Sequence, residues 1–296
     1  MLGEARPPAV DERIGVDPEA EFQLALRTCV DCAPYHALRP YLRAAGSASG
    51  VNSDWQGMEP AVARLIAEGR RRILVTGAGD TGIAALVLTA ARGQQIHLTV
   101  IDRCATPLVQ IQRLAARHGA RVTTRQDDLL TFDLPDAFDL VVGHHVMQFL
   151  PPGGPAALLR QAARALAPGG RLLMVTRERA WKRWRDKIAA REGESAAAAY
   201  IGEVLRGLEQ KRLAPPSREA ARFHAFLQTA ARLRMQRADR YDSAEAFEAL
   251  LASNGFILDS STETGQLRPE FAALPAAERP RVGVIAVARP RRHDPR

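Results

Sequence analysis

The sequence predicts an α/β fold: a seven-stranded, mostly parallel sheet with an N-terminal helical cap and a helical insertion before the last two strands. Three observations predict it. Short apolar runs alternate with helical stretches between residues 72 and 176, the signature of parallel strands joined by right-handed helical crossovers. The first run, Ile73-Leu-Val-Thr76, enters a glycine turn, Gly77-Ala-Gly-Asp-Thr-Gly82. After 178 the alternation stops, and two apolar runs, 255–259 and 282–288, close the chain.

The elements follow in order. Residues 1–20 are rich in proline and charge and read as loose. Residues 21–45 and 57–69 read as helices joined by Gly46-Ser-Ala-Ser-Gly50, a linker composition. Strand 72–76, helix 81–92, strand 96–101, helix 106–118, strand 120–124 and strand 138–143 come next. Helix 154–167 ends in Pro168-Gly-Gly170 and leads into strand 171–176. Residues 178–236 read as helical, broken at Pro215-Pro216, and helix 243–254 precedes the final strand pair, whose loop holds Pro269, Pro275 and Pro280. The expected division is a cap at 1–70, an α/β core at 71–177, a helical substrate lid at 178–240, and a C-terminal part of the core with a basic tail at 241–296.

The glycine turn is chemically informative. Gly77 and Gly79 let the backbone turn tightly and approach a ligand, and the amides of the following helix point at it. Asp102 closes the next strand, and a carboxylate there accepts hydrogen bonds from both hydroxyls of a ribose. These residues point to an adenosine-containing cofactor.

Composition narrows the class. With 296 residues and 46% hydrophobic side chains the chain is globular, and no apolar run reaches the length of a bilayer span. The N-terminus carries no signal-peptide pattern, and three cysteines make no disulfide framework, so the expected compartment is the cytoplasm. The net charge of +8 raises nucleic-acid binding, but acids are mixed into most helices and no aromatic-rich basic motif appears. A compositional arginine bias is the preferred explanation.

In the order and spacing of its motifs the chain resembles the class I S-adenosylmethionine-dependent methyltransferases, over roughly 70–178 and 241–289. The motifs are Gly77–Gly82; Asp102; Gln126-Asp-Asp-Leu129; Phe138 to Pro151; Leu166-Ala-Pro-Gly-Gly-Arg171; and Ala252-Ser-Asn-Gly-Phe256 before the last strand. Val75 stands where the family often has an acid, and the last glycine of the turn comes one residue later than in the commonest pattern. The resemblance implies a Rossmann-like fold, S-adenosylmethionine as cofactor, and transfer of its methyl group to an O, N or C nucleophile of a small organic molecule. It implies cofactor contacts from Thr76, Gly77, Ala78, Gly79, Gly82, Asp102, Arg103, Asp128, Leu129, Gly143, His144 and, from the cap, Tyr35. The expected partners are a small-molecule methyl acceptor and a second copy of the chain in a homodimer, without nucleic acid or membrane.

Methyl transfer from a sulfonium is an in-line displacement that needs positioning and water exclusion above all. A sheet edge with a variable lid supplies both. The competing readings are a nicotinamide-dependent reductase on a related fold, a non-catalytic nucleotide-binding scaffold, and a nucleic-acid methyltransferase. The reductase of the short-chain type needs a Tyr-x-x-x-Lys pair, and Tyr200 is followed by Ile-Gly-Glu-Val. An amino-methylating tetrad such as Asn-Pro-Pro-Tyr is replaced by Gly143-His-His-Val146.

His144 and His145, just past the fourth strand, are candidates for a general base, set against a packing role. His36 is a third candidate, beside Tyr35, Arg39 and Arg43 in the cap. Trp181, Trp184, Tyr200, Phe223, His224, Phe226 and Tyr241 either line an acceptor pocket or form the lid's own core. Cys29-x-x-Cys32 with His36 offers part of a zinc site, but four ligands are needed and the remaining cysteine, Cys104, lies after Asp102. Buried helix cysteines are therefore expected, and no metal; arsenite methylation, which also uses thiols, is the weaker alternative.

Overall fold

Alternate residues of the central strands face opposite sides of the sheet, and both sides are covered, which is why these strands are apolar throughout. In the computed structural model, which describes residues 17–47, 50–177, 196–236, 241, 243–264 and 283–290, Ile73 and Val75 belong to one core and Leu74 to the other. Likewise Leu140 and Val142 face the first core and Val141 the second.

The strands are β1 (Arg72–Thr76), β2 (His97–Asp102), β3 (Val122–Gln126), β4 (Phe138–His144), β5 (Leu166–Arg177), β6 (Phe256–Thr264) and β7 (Gly283–Pro290). They form one sheet in the order β3-β2-β1-β4-β5-β7-β6, parallel except for β7, which runs antiparallel to both neighbours. The expected seven-stranded, mostly parallel sheet is present. Strand order reverses between β1 and β4, whose carboxyl ends therefore flank the crevice where open α/β sheets bind ligands. Strand β5 begins at Leu166 rather than at 171, because Leu166 already pairs with Phe138 before a register shift.

Helices α3 (Trp55–Ala67), α4 (Gly82–Ala90) and α5 (Ala105–Arg117) cover the first face; α6 (Gly154–Ala165) and α9 (Ala244–Ser253) cover the second. The expected single helix over 21–45 is two: α1 (Pro18–Thr28) and α2 (Ala33–Ala44). Proline lacks an N–H and fits a helix best in its first turn, so Pro34 suits the start of a new helix. Cys29 is extended and ends α1, and Cys32 caps α2, so these cysteines sit at helix ends and not within a helix.

Helices α7 (Ala196–Gln210) and α8 (Ala220–Gln236) pack on α1 and α2. Phe22, Leu38, Tyr41, Tyr200, Val204, Phe223 and Leu227 form a third core there. Each large apolar side chain buried in it is worth about 1.5–3 kcal/mol. Tyr200 and Phe223 thus serve the helical layer itself, and Phe226 packs against Phe22 with the rings tilted. Tyr241 packs in the second sheet core against Phe247. Trp181 and Trp184, the first part of the insertion (178–195), the proline-bearing loop, most of the basic tail and residues 1–16 lie outside the described residues.

Candidate active site

The site is assembled at the carboxyl ends of β1, β2 and β4. Gly77 leaves β1 with φ +78°, a conformation that suits glycine. A Cβ on Gly77 would meet Val146 Cγ2 at 2.6 Å and Leu129 Cδ1 at 3.3 Å, so this one residue brings the loops after β1, β3 and β4 together. The hydroxyl of Tyr35, from α2, lies 2.5 Å from where a Cβ on Gly79 would stand. The cap therefore closes directly over the glycine turn.

Asp102 holds the turn from below. Its carboxylate accepts from Ala78 N at 2.8 Å and from Cys104 N at 2.7 Å. Burial pushes its carboxyl up, against those two amides, which favour the charged form. Each carboxylate oxygen keeps a further lone pair for a ribose hydroxyl.

The other residues expected at the cofactor separate into two sets. Asp128 is exposed, its side chain accepting from Leu130 N at 2.8 Å, and Leu129 is buried beside Gly77. Arg103 follows Asp102, and its carbonyl accepts from the Gln126 side chain. Thr76 and Gly82 sit differently. Thr76 is wholly buried, its hydroxyl 3.4 Å from Val142 O. Gly82 faces the cap, where a Cβ would stand 2.9 Å from both Asp80 Oδ1 and Val51 Cγ1. Gly143 lies under Met174, whose sulfur a Cβ would overlap.

Past β4, His144 and His145 converge on Asp54, a residue the sequence reading passed over. Asp54 Oδ2 lies 2.8 Å from His144 Nε2 and 2.9 Å from His145 Nε2. The carboxylate is almost completely buried at the head of α3. Burial alone would raise its pKa; the charge of His145 and the hydrogen bonds from both rings hold it well below the usual carboxylate range. A carboxylate oxygen accepts, so each Nε2 is the donor, and a neutral ring then carries its lone pair on Nδ1. His145 is held with φ +53°, its N–H bonded to Val175 O, and the two rings are enclosed to a similar degree. The same three side chains have metal-ligating types, but these hydrogen bonds satisfy the carboxylate without an ion.

His36 is elsewhere. It is buried, with Nδ1 3.4 Å from Cys29 Sγ. Burial would lower its pKa, but the neighbouring Cys104 and Cys32 push it up to about 10. Its ring thus belongs to the cysteine cluster at the junction of α1 and α2, next to Tyr35. Asp80, also unnoticed in the sequence, sits inside the glycine turn and pairs with Arg39 at 2.9 Å and Arg43 at 2.6 Å. A cleft of about 250 Å³ borders that pair, lined also by Asp17, Glu21 and Arg113 on the outer side of the turn, away from the β4 end.

With this geometry in hand, comparison gives the class. Residues 73–170 match the family model described as a methyltransferase domain. No curated protein matches the chain in sequence. Among solved structures, the PH0226 protein from Pyrococcus horikoshii OT3 superposes with a TM-score of 0.50 at 13% identity, covering 80% of this chain and 89% of its own. The pyocyanin biosynthetic protein PhzM superposes with a TM-score of 0.51 at 18% identity over 94% of this chain, which spans 63% of PhzM. The magnesium protoporphyrin IX methyltransferase of Synechocystis PCC 6803, solved with S-adenosylhomocysteine, gives 0.48 at 15% identity, covering 79% of this chain and 82% of its own. The likenesses to PH0226 and PhzM, at these identities, bear on the fold alone. Residues 73–170, about a third of the chain, thus form a methyltransferase domain, with the glycine turn at the sheet's reversal point and Asp102 at the end of the neighbouring strand β2.

Among the described residues no helix is long and apolar enough to cross a membrane.

Proposed function

We propose that the enzyme transfers the methyl group of S-adenosylmethionine to an O, N or C nucleophile of a small organic molecule, with His144 removing the acceptor's proton. The observation that carries this reading is Asp54, which anchors His144 by its Nε2 at 2.8 Å. The anchor fixes the ring and leaves Nδ1 as the basic atom, the arrangement of an oriented imidazole base. His145, tied to the same oxygen, braces Asp54. Gly77–Gly79, Ala78, Asp102, Arg103, Asp128 and Leu129 hold the adenosine, and Tyr35 closes over it. Thr76, Gly82 and Gly143 shape the turn through packing. Helices α1, α2, α7 and α8 form a cover whose single core suits an enclosed small acceptor better than a polymer. The proposed compartment is the cytoplasm.

The test supplies S-adenosylmethionine labelled in its methyl group with panels of phenols, carboxylic acids, amines and enols, and in parallel with RNA, DNA and protein. The reading expects label in a small molecule and a turnover loss of about 10²–10⁴ in His144→Ala. Label appearing only in a polymer would reject it.

A further inference from the structure

We propose that Cys29, Cys32, His36 and Cys104 bind one zinc ion that fastens the helical cap to the cofactor-binding core. The inference does not depend on the acceptor assigned above. In sequence, Cys29-x-x-Cys32 and His36 bring three ligand types together. The fold supplies the fourth. Cys104, 75 residues from Cys29 in sequence, caps α5 directly after β2, and its Sγ lies 3.4 Å from Cys29 Sγ. His36 Nδ1 is 3.4 Å from Cys29 Sγ as well. One ligand atom from each of the four residues lies within 4.8 Å of the other three.

The two separations through Cys29, and the 4.8 Å bound on the others, admit a tetrahedron around one ion. With Zn–S about 2.3 Å and Zn–N about 2.0–2.1 Å, the sulfur–sulfur edge is about 3.8 Å and the sulfur–nitrogen edge about 3.6 Å. The observed 3.4 Å separations need only a few tenths of an ångström of expansion. They also lie far beyond a disulfide bond, about 2.05 Å. Local structure prepares each ligand. Cys29 ends α1, Cys32 caps α2, and His36 is one turn further along α2, with its N–H bonded to Cys32 O at 3.2 Å. Thr106 Oγ1 stands 2.9 Å from Cys29 Sγ and 3.5 Å from Cys104 Sγ, a hydroxyl placed to support bound thiolates. Cys104 and His36 are buried, while Cys29 and Cys32 are half-buried and give an entry path.

Three thiolates and an imidazole favour zinc among the common ions, and four protein ligands leave no position for substrate. The ion is therefore structural. On binding, protons carried by the thiols and the imidazole leave to solvent, so occupancy falls at low pH. Its place explains its use: Cys104 N donates to Asp102, and His36 adjoins Tyr35 over Gly79. The ion joins the acid beneath the ribose to the cap above the glycine turn.

The experiment uses the full chain, reduced, incubated with zinc and desalted. Elemental analysis should find about one zinc per chain. Cobalt substitution should give a thiolate-to-cobalt charge-transfer band with intense tetrahedral ligand-field bands. Cys104→Ser should lose most of the zinc, and a chelator should lower the melting temperature of the wild type but not that of Cys104→Ser. The cobalt spectrum needs only the wild type, so it decides even if the variant fails to fold. Less than about one ion per five chains after reconstitution would overturn the proposal. So would full zinc retention in Cys104→Ser, a disulfide among the three cysteines in the protein as isolated, or a protein that takes up arsenite alone and no zinc.

Discussion

Asp80, inside the glycine turn, accepts a hydrogen bond from Arg43 of the cap at 2.6 Å, and both side chains are largely enclosed. The same oxygen accepts from Arg39 Nε at 2.9 Å, and Asp80 Oδ1 accepts from Gly82 N. The glycine turn is thus bound to the cap that covers it by a charged contact between residues 37 apart in sequence.

Asp80→Asn should destabilise the fold by about 2–4 kcal/mol, since it leaves two enclosed guanidinium groups without their carboxylate. Burial would raise the Asp80 pKa, but Arg43 and Arg39 hold it well below the usual carboxylate range. A depressed carboxyl contributes stability that is fully present above its unfolded pKa of about 3.9 and is lost as the pH falls through the folded value. Urea unfolding of wild type and variant should therefore differ most near neutral pH, and the difference should begin to shrink below about pH 4. A constant difference from pH 7 to pH 3 would show that the charge contributes nothing.

Gly77 and Gly79 should respond differently to alanine. At Gly77 the backbone has φ +78° and Val146 blocks a Cβ, so Gly77→Ala should cost more than the roughly 1–2 kcal/mol of left-handed backbone strain and should abolish cofactor binding. At Gly79 the obstacle is the far end of the Tyr35 side chain, which can swing away. Gly79→Ala should keep the melting temperature near that of the wild type. Equal losses in the two variants would contradict this account of the turn.

If His144 is the base proposed above, Asp54 acts through it. Asp54→Asn should lower methyl transfer by about 10–10³-fold while the affinity for S-adenosylhomocysteine stays near wild type. The loss should shrink at high pH, where an acidic acceptor ionises unaided. His145→Asn should cost less than His144→Ala, because His145 supports the carboxylate. Near-normal turnover in both His144→Ala and Asp54→Asn would mean that positioning alone drives the reaction.

What could be read in the sequence was local. Ile73-Leu-Val-Thr76 before Gly77, and Asp102 at the end of the next apolar run, state their structure through neighbours a few residues away. The pairings that build the site are not local. Asp54 meets His144 across 90 residues, and Arg39 meets Asp80 across 41. A lone aspartate ahead of a helix looks like an ordinary cap, and only the parallel sheet, which carries β4 beside β1, reveals its partner. Cys104 stands far from the other cysteines in sequence, and its place just after β2 brings it to the α1–α2 junction. The split of the cap at Cys29–Cys32 was legible in principle from Pro34, whose ring suits a first turn.

The most direct measurement is calorimetric titration of the folded protein with S-adenosylhomocysteine and, separately, with NADPH, in wild type and Asp102→Asn. S-adenosylhomocysteine should bind one per chain, NADPH should not bind, and Asp102→Asn should lose about 1–3 kcal/mol of affinity, the scale of hydrogen bonds to a charged group. Binding of NADPH in place of S-adenosylhomocysteine, or undiminished affinity in a folded Asp102→Asn, would contradict the assignment of this crevice to the methyl donor.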